Sequence, residues 1–566
     1  MLLLNPKKHD RGYPDERSKE IMLKTIKFFE NKGKKKLKED EWNRVWYDDF
    51  LEFQKENQIF ADLLTPTPYG GENARWDAWR LFEFSEILGF YGLAYWYTFQ
   101  VSILGLCPIW MSKNEKAKRR AAELLKKGAI FAFGLSEREH GADIYSSDMR
   151  LTPKGEGTYV ANGEKYYIGN GNKAEMVSTF GKMSNTDDYV FFVANYQNKH
   201  YNCVKNVIEN QSYVSNYVLK DYPITEDDVL SKGRDAWNST LNTVNVGKFN
   251  LGTASIGICT HALYEALNHA SHRKLFNQYV TEFPQIQQLF MDSWARLMAM
   301  KIYSLRATDY FRSASSSDKR YILYNSLAKM KVTTQGEHVI RDLFDIIAAK
   351  GFEKDTYFSG AAVSIVSLPK LEGTVHVNMA LVLRFIPNYF FDPGEFPTIP
   401  PKIMDIKSDN FNWNQGPTKG LSKIKFHDYN IAYDSIDLPN VNIFKEQVAS
   451  FKDFLFNTPI GDKQQKNIDF LLSVGELFTM VAYGQLIIEN LKPYNIEDDI
   501  TEQIFDFMIR DFSHYALDLH YKRAIKRRQA KKCLQMIKKP VKDEERFQRI
   551  LENHVYTLAD LYEMNE

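Results

Sequence analysis

Apolar positions recur at helical spacing through residues 1–128. Glu16 to Asn31 reads as an amphipathic helix, and Trp76 to Leu88 and Leu93 to Leu106 repeat apolar residues every three or four positions. Lys113 to Lys127 is charged on one side, with Ala121, Leu124 and Leu125 on the other, and Gly128 is a natural stop. The pattern then changes. Ala129 to Leu135 is a short apolar run of strand length. Thr158 to Ala161 and Lys165 to Ile168 flank Asn162-Gly163, which predicts a β-hairpin, because Asn-Gly tolerates the positive φ of a tight turn. Tyr189 to Ala194 and Tyr213 to Leu219 read as further strands. Helical spacing returns from Lys248. Pro284 opens a long helix and Ile322 to Ile347 forms another.

Residues 393–440 are rich in Pro, Asn, Asp and Gly and read as a connector. Beyond it, Phe444 to Phe456, Lys466 to Asn490, Ile500 to Cys533 and Glu544 to Tyr562 read as a second helical bundle. The expected fold class is therefore α+β and multidomain. It has an N-terminal helical domain (1–128), a β-barrel-like β domain (129–246), a central four-helix bundle (247–392), the connector, and a C-terminal helical extension (441–566).

A length of 566 residues agrees with about three or four domains. The net charge of +1 gives no global attraction to nucleic acid or to an anionic membrane. The four cysteines, Cys107, Cys203, Cys259 and Cys533, are widely scattered and suggest neither a disulfide framework nor a metal site. No metal is expected. No uninterrupted apolar run stands out as a membrane span, and the N-terminus lacks signal-peptide character, so a cytoplasmic protein is expected. The run Lys522 to Lys532 is strongly basic. It reads as a solvated helix face, with phosphate or nucleic-acid binding as the competing reading.

Three segments carry chemistry in a definite order. They are Phe131 to Asp143 (FAFGLSEREHGAD), Asn162 to Gly171 (NGEKYYIGNG) and Ser367 to Val375 (SLPKLEGTV). Together they resemble the acyl-CoA dehydrogenase family of flavoproteins, over roughly residues 60–385, with Thr67-Pro68-Tyr69-Gly70-Gly71 as a further match. The C-terminal extension resembles that of acyl-CoA oxidases and of larger bacterial dehydrogenases. The resemblance implies FAD-dependent α,β-desaturation of an acyl-CoA thioester. Glu372 would remove the α-proton while the β-hydrogen leaves as hydride to flavin N5. Such a base needs a dry setting, since desolvation raises the basicity of a carboxylate. The resemblance also implies that Gly373 permits close approach of the thioester and that Thr374 contacts FAD.

On the same resemblance, Phe133, Leu135, Ser136 and Gly141 form the flavin strand and turn, with Ala142 near the CoA portion where relatives carry Ser. Tyr167 stands where relatives have Trp beside the flavin, and Gly169 where they have Thr near N5. Lys248 takes the place of an Arg near the acyl-CoA, and its stretch holds no alternative carboxylate. Arg273 and Phe276 resemble an Arg-x-x-Phe stretch that reaches the FAD of a neighbouring subunit. Asp345 to Phe352 aligns with a glycine-rich stretch of which Gly351 alone survives. A homodimer follows, with electron-transferring flavoprotein as the default acceptor. The alternatives are an oxidase using oxygen, a desaturase of carrier-protein thioesters, and a silent flavoprotein that binds nucleic acid.

Overall fold

The computed structural model describes residues 2–9 and 11–566. The chain forms two compact units. One comprises Asp10–Asn250, Met404–Lys419 and Met564–Glu566, and the other Met1–His9, Leu251–Ile403 and Gly420–Glu563.

The first unit opens with helices whose ends are set by their caps. Asp15 accepts from the Ser18 amide at 2.8 Å to start Glu16–Lys32, Asp77 caps Ala78–Tyr91, and Asn114 caps Glu115–Lys126. Leu93–Met111 is buried almost throughout. Its Gly105 is a contact requirement, since a β-carbon there would lie 2.6 Å from the Ala132 amide nitrogen.

Eight strands follow: β1 (Phe131–Gly134), β2 (Arg150–Gly155), β3 (Thr158–Gly169), β4 (Met176–Met183), β5 (Tyr189–Ala194), β6 (Tyr201–Asn206), β7 (Val214–Thr225) and β8 (Val229–Lys232). Their order is β6-β7-β3-β2-β4-β5-β8, with β1 added parallel to β4. Leu151, Ala161, Ile168, Val177, Phe192 and Leu219 belong to the core of this sheet.

The Asn162-Gly163 hairpin is corrected. β3 runs straight through both residues, and the register against β7 shifts by one position between Ala161 and Gly163. The glycine is needed because a β-carbon would lie 2.8 Å from Met149 Cα. The Asn162 side chain accepts from the Asp221 amide on β7 at 2.8 Å. The tight turn lies earlier, at Gly157 (φ 69°), between β2 and β3. The helix expected from Lys248 is also corrected, for Gly233–His272 is one continuous helix. Its polar, β-branched opening hides helical character that burial of Ala236, Thr240 and Thr243 supplies. Lys248 is consequently buried within the helix.

In the second unit, Pro284–Arg312 packs on Thr333–Ile347, and Ile468–Leu491 packs on Pro284–Arg312. Between Tyr321–Leu327 and Thr333–Ile347 the backbone widens into a π-helical turn, Ala328–Val332, with Lys329 and Lys331 buried. Arg296 joins Asp511 through two bonds of 2.6 and 2.8 Å, which tie the central bundle to Asp498–His520 of the extension. The single C-terminal helix expected over Ile500 to Cys533 is corrected. It ends at His520 and a second begins at Arg527. Ile468–Leu491 also departs from expectation, being long and apolar enough to cross a membrane. Most of its apolar window (83%) is buried within the unit, as in a core helix.

Candidate active site

In the first unit the predicted flavin strand and turn are held from below by a buried ion pair. Lys165, on β3, donates to the Leu135 carbonyl at 2.9 Å and to the Glu137 carboxylate at 2.7 Å. Glu137 also accepts from the Ser147 hydroxyl (2.6 Å) and the amides of Asp148 (2.7 Å) and Met149 (3.1 Å). Burial alone would raise the Glu137 pKa. The Lys165 charge and the Asp148 amide nevertheless hold its carboxyl below the usual range. Residues 135–149 are thereby fixed by charge rather than by regular ladder bonds. Glu137, His140 and Asp148 place ligand atoms within 4.8 Å of one another, but the Glu137 oxygens already serve these protein donors.

Above the pair, Ser136 and Tyr166 exchange bonds. The Tyr166 amide donates to the Ser136 carbonyl at 3.0 Å, and the Ser136 hydroxyl donates to the Tyr166 carbonyl at 2.7 Å. A second register shift on β3, between Lys165 and Ile168, puts Tyr167 in the left-handed region at φ 63°. Bulges re-aim side chains in this way, and the Tyr167 ring is 59% exposed. Phe133, Leu135 and Ser136 are half-buried, while Gly141, Ala142 and Asp143 are exposed. Gly141 has open space where a β-carbon would lie. Gly169 differs, since a β-carbon would sit 2.7 Å from Tyr97 Cε1 and 2.8 Å from Val101 Cγ2. The Tyr97 ring fills the room that a threonine would take. Asn170 (φ 59°) anchors the end of the segment, its amide donating to the carbonyls of Thr98 (3.0 Å) and Phe131 (3.1 Å). An exposed aromatic face, an open glycine turn and a rigid floor fit a planar ring system such as isoalloxazine.

In the second unit Glu372 and Gly373 are consecutive left-handed residues, at φ 52° and 84°. Strain of this kind at a non-glycine costs about 1–3 kcal/mol and persists only where the surroundings impose it. Here they do. Asn378 donates its side-chain amide to the carbonyls of Gly373 (3.2 Å) and Thr374 (3.0 Å). Upstream, Lys329 reaches from the π-helical turn to the Pro369 carbonyl at 2.5 Å. Thr374 caps Val375–Val382, its hydroxyl accepting from the Val377 amide at 3.4 Å. Glu372 is half-buried, with its Oε2 atom shielded from solvent.

Arg273 opens a two-residue hairpin. Leu275 pairs with Gln278 across Phe276 (φ 51°) and Asn277 (φ 68°), and Phe276 is 91% exposed. The His269 ring lies 3.4 Å from Arg273. Burial, Arg273 and Lys350 together push its pKa down. Gly351 is buried against Ile347 and Phe344, while Asp345 is exposed. Ala348 ends the preceding helix at φ 57°, ψ −141°.

The supports Lys165, Lys329 and Asn378 escaped the sequence reading. Lys165 and Glu137 are 28 positions apart and Lys329 and Pro369 40 apart, so no local pattern joins them.

The first unit thus presents an aromatic on a bulge of a mainly antiparallel sheet, and the second a shielded carboxylate in a helical bundle. Residues 235–386 match the family model for the acyl-CoA dehydrogenase C-terminal domain. A 3-(aryl)acrylate reductase of Clostridium sporogenes is 22% identical over 350 residues, 59% of this chain and 91% of that protein. A short-chain-specific acyl-CoA dehydrogenase of Megasphaera elsdenii is 22% identical over 262 residues, covering 44% and 67%. The crystal structure of a Bacillus anthracis acyl-CoA dehydrogenase complexed with FAD superposes with a TM-score of 0.76 at 17% identity, over 98% of this chain and 97% of that one. Residues 235–386 thus carry the acyl-CoA dehydrogenase C-terminal domain, and the chain shares the fold of an acyl-CoA dehydrogenase crystallised with FAD.

Proposed function

We propose that this protein desaturates an acyl thioester between its α and β carbons, with Glu372 as the base that takes the α-proton. The strained Glu372-Gly373 turn, held by Asn378 and Lys329, is the observation that carries the reading. Fixing the backbone that carries the carboxylate before substrate arrives removes part of the orientational cost of the reaction. The Oε2 atom of Glu372 is shielded from solvent, the dry setting that a proton-abstracting carboxylate needs. Gly373 offers a backbone without a side chain beside the base. FAD, when bound, would supply the acceptor for the β-hydrogen. Phe133, Leu135, Ser136, Gly141 and Tyr167 would hold its ring, and Lys165 and Glu137 would keep that surface in place.

The hairpin tip supports a homodimer. Phe276, 91% exposed in a left-handed turn, stands ready for a second copy to cover. Arg273 beside it suits a phosphate oxygen of the partner's cofactor. Electron-transferring flavoprotein is the proposed acceptor. The test is anaerobic titration with acyl-CoAs of several lengths, watching the visible flavin spectrum of the wild type and Glu372→Gln. Bleaching in the wild type and none in the variant is expected. Bound flavin that no acyl-CoA reduces would overturn the reading.

A further inference from the structure

Between Asp518 and Asp543 the chain carries ten Lys or Arg and no acidic residue, although the whole protein is only +1. Three of these cations are paired, Lys522 with Asp469, Lys532 with Asp453 and Lys538 with Glu446. Helix Arg527–Gln535 sorts the rest. Gln529, Cys533 and Met536 are buried at i, i+4 and i+7. The opposite face therefore carries Arg527, Lys531 and Leu534 at the same spacing, with Arg528 at its flank, and all four are exposed.

The apolar members of the patch set it apart from an ordinary solvated helix. Leu534 is 49% exposed, Ile537 39%, Val541 41% and Tyr521 74%. They alternate with Arg523, Lys539 and Lys542, which are also exposed. Cations beside aliphatic side chains suit a surface with negative charge outside and hydrocarbon just beneath. A nucleic-acid backbone would use the charges but offers little to three exposed aliphatics.

We propose that residues 521–542 form a docking surface for an anionic lipid bilayer. Helix Arg527–Gln535 lies along the headgroups, and Leu534, Ile537 and Val541 enter the acyl boundary. None of the flavin or base residues lies within 521–542.

The test uses the full-length flavin-loaded protein with vesicles of pure phosphatidylcholine and of phosphatidylcholine mixed with phosphatidylglycerol. Co-sedimentation with the anionic vesicles alone, lost in high salt, is the expected result. Arg527→Gln, Arg528→Gln and Lys531→Gln combined should weaken partition roughly a hundredfold. Leu534→Ser with Ile537→Ser should weaken it roughly tenfold or more. All five side chains are exposed, and flavin content and the thermal transition report that each variant remains folded. No sedimentation with anionic vesicles at low salt would overturn the proposal. So would duplex DNA binding that matches or exceeds vesicle binding and ignores the Leu534 and Ile537 substitutions, since the surface would then be a nucleic-acid site.

Discussion

Replacing Lys165 with Met isolates the ion pair beneath the flavin segment. The Lys165 side chain is 0% exposed and that of Glu137 6%. Stripping one partner from such a pair costs about 3–5 kcal/mol, because the remaining charge stays buried without its counter-ion. Glu137 would keep three donors, Ser147 and the amides of Asp148 and Met149. The lower end, about 3 kcal/mol, therefore applies. The Leu135 carbonyl would lose its donor too, so the disturbance falls on residues 135–149. If the whole cost appears as disorder that FAD must repair, FAD affinity falls by roughly a hundredfold, since each 1.4 kcal/mol is a decade. Flavin fluorescence during titration of the apoprotein measures that affinity. The temperature at which flavin is released on heating gives a second reading. Lys165→Met combined with Glu137→Gln should recover much of the loss, because no unbalanced charge then remains. A double variant no better than Lys165→Met, or FAD affinity unchanged in Lys165→Met, would refute the argument.

Other substitutions test other parts of the structure. Ala348→Gly should raise the thermal transition, by about 1 kcal/mol of stability, because alanine at φ 57°, ψ −141° occupies a region that suits glycine; no gain would mean that the backbone there relaxes in solution. Gly169→Thr should abolish flavin loading by collision with Tyr97 and Val101, and adding Tyr97→Ala should restore part of it, as the yellow colour of the purified protein would report. Burial, reinforced by Arg296 and opposed by Asp511, pushes the His338 pKa from 6.5 down to about 4. The unfolded chain then binds the extra proton between these values, so stability should fall as pH drops from 6.5 towards 4, by at most roughly 3 kcal/mol. His338→Gln should flatten that part of the pH–stability curve in denaturant titrations, and an unchanged slope would exclude His338 as its source.

The order of helices, strands and helices was legible because apolar spacing switches period near Gly128 and back again. The Glu-Gly-Thr and flavin segments were legible as strings. Their long-range supports were not, since Lys165 and Lys329 act through contacts 28 and 40 positions apart that no spacing rule foretells. The Asn162-Gly163 error has a definite cause. The same dipeptide that suits a tight turn also suits a strand pressed against Met149, and only tertiary packing separates the two. The helix beginning at Gly233 was hidden for a related reason, because Asn, Ser and Thr oppose helix locally and are overruled by burial. The break after His520 was masked by continuous helix-forming residues.

The π-helical turn Ala328–Val332 has a consequence for how this region tolerates changes of length. It accommodates one residue beyond the ordinary helical repeat, so the stripes on Tyr321–Leu327 and Thr333–Ile347 are out of phase by about 100°. Deleting Met330 would leave a better helix by every local measure. It would also swing Lys329 by the same angle relative to the following helix, away from the Pro369 carbonyl. Reading frame along the helix axis and support of the Glu372 turn are thus coupled at one place, for a deletion there would upset both the phase of the buried helices and the Lys329–Pro369 bond.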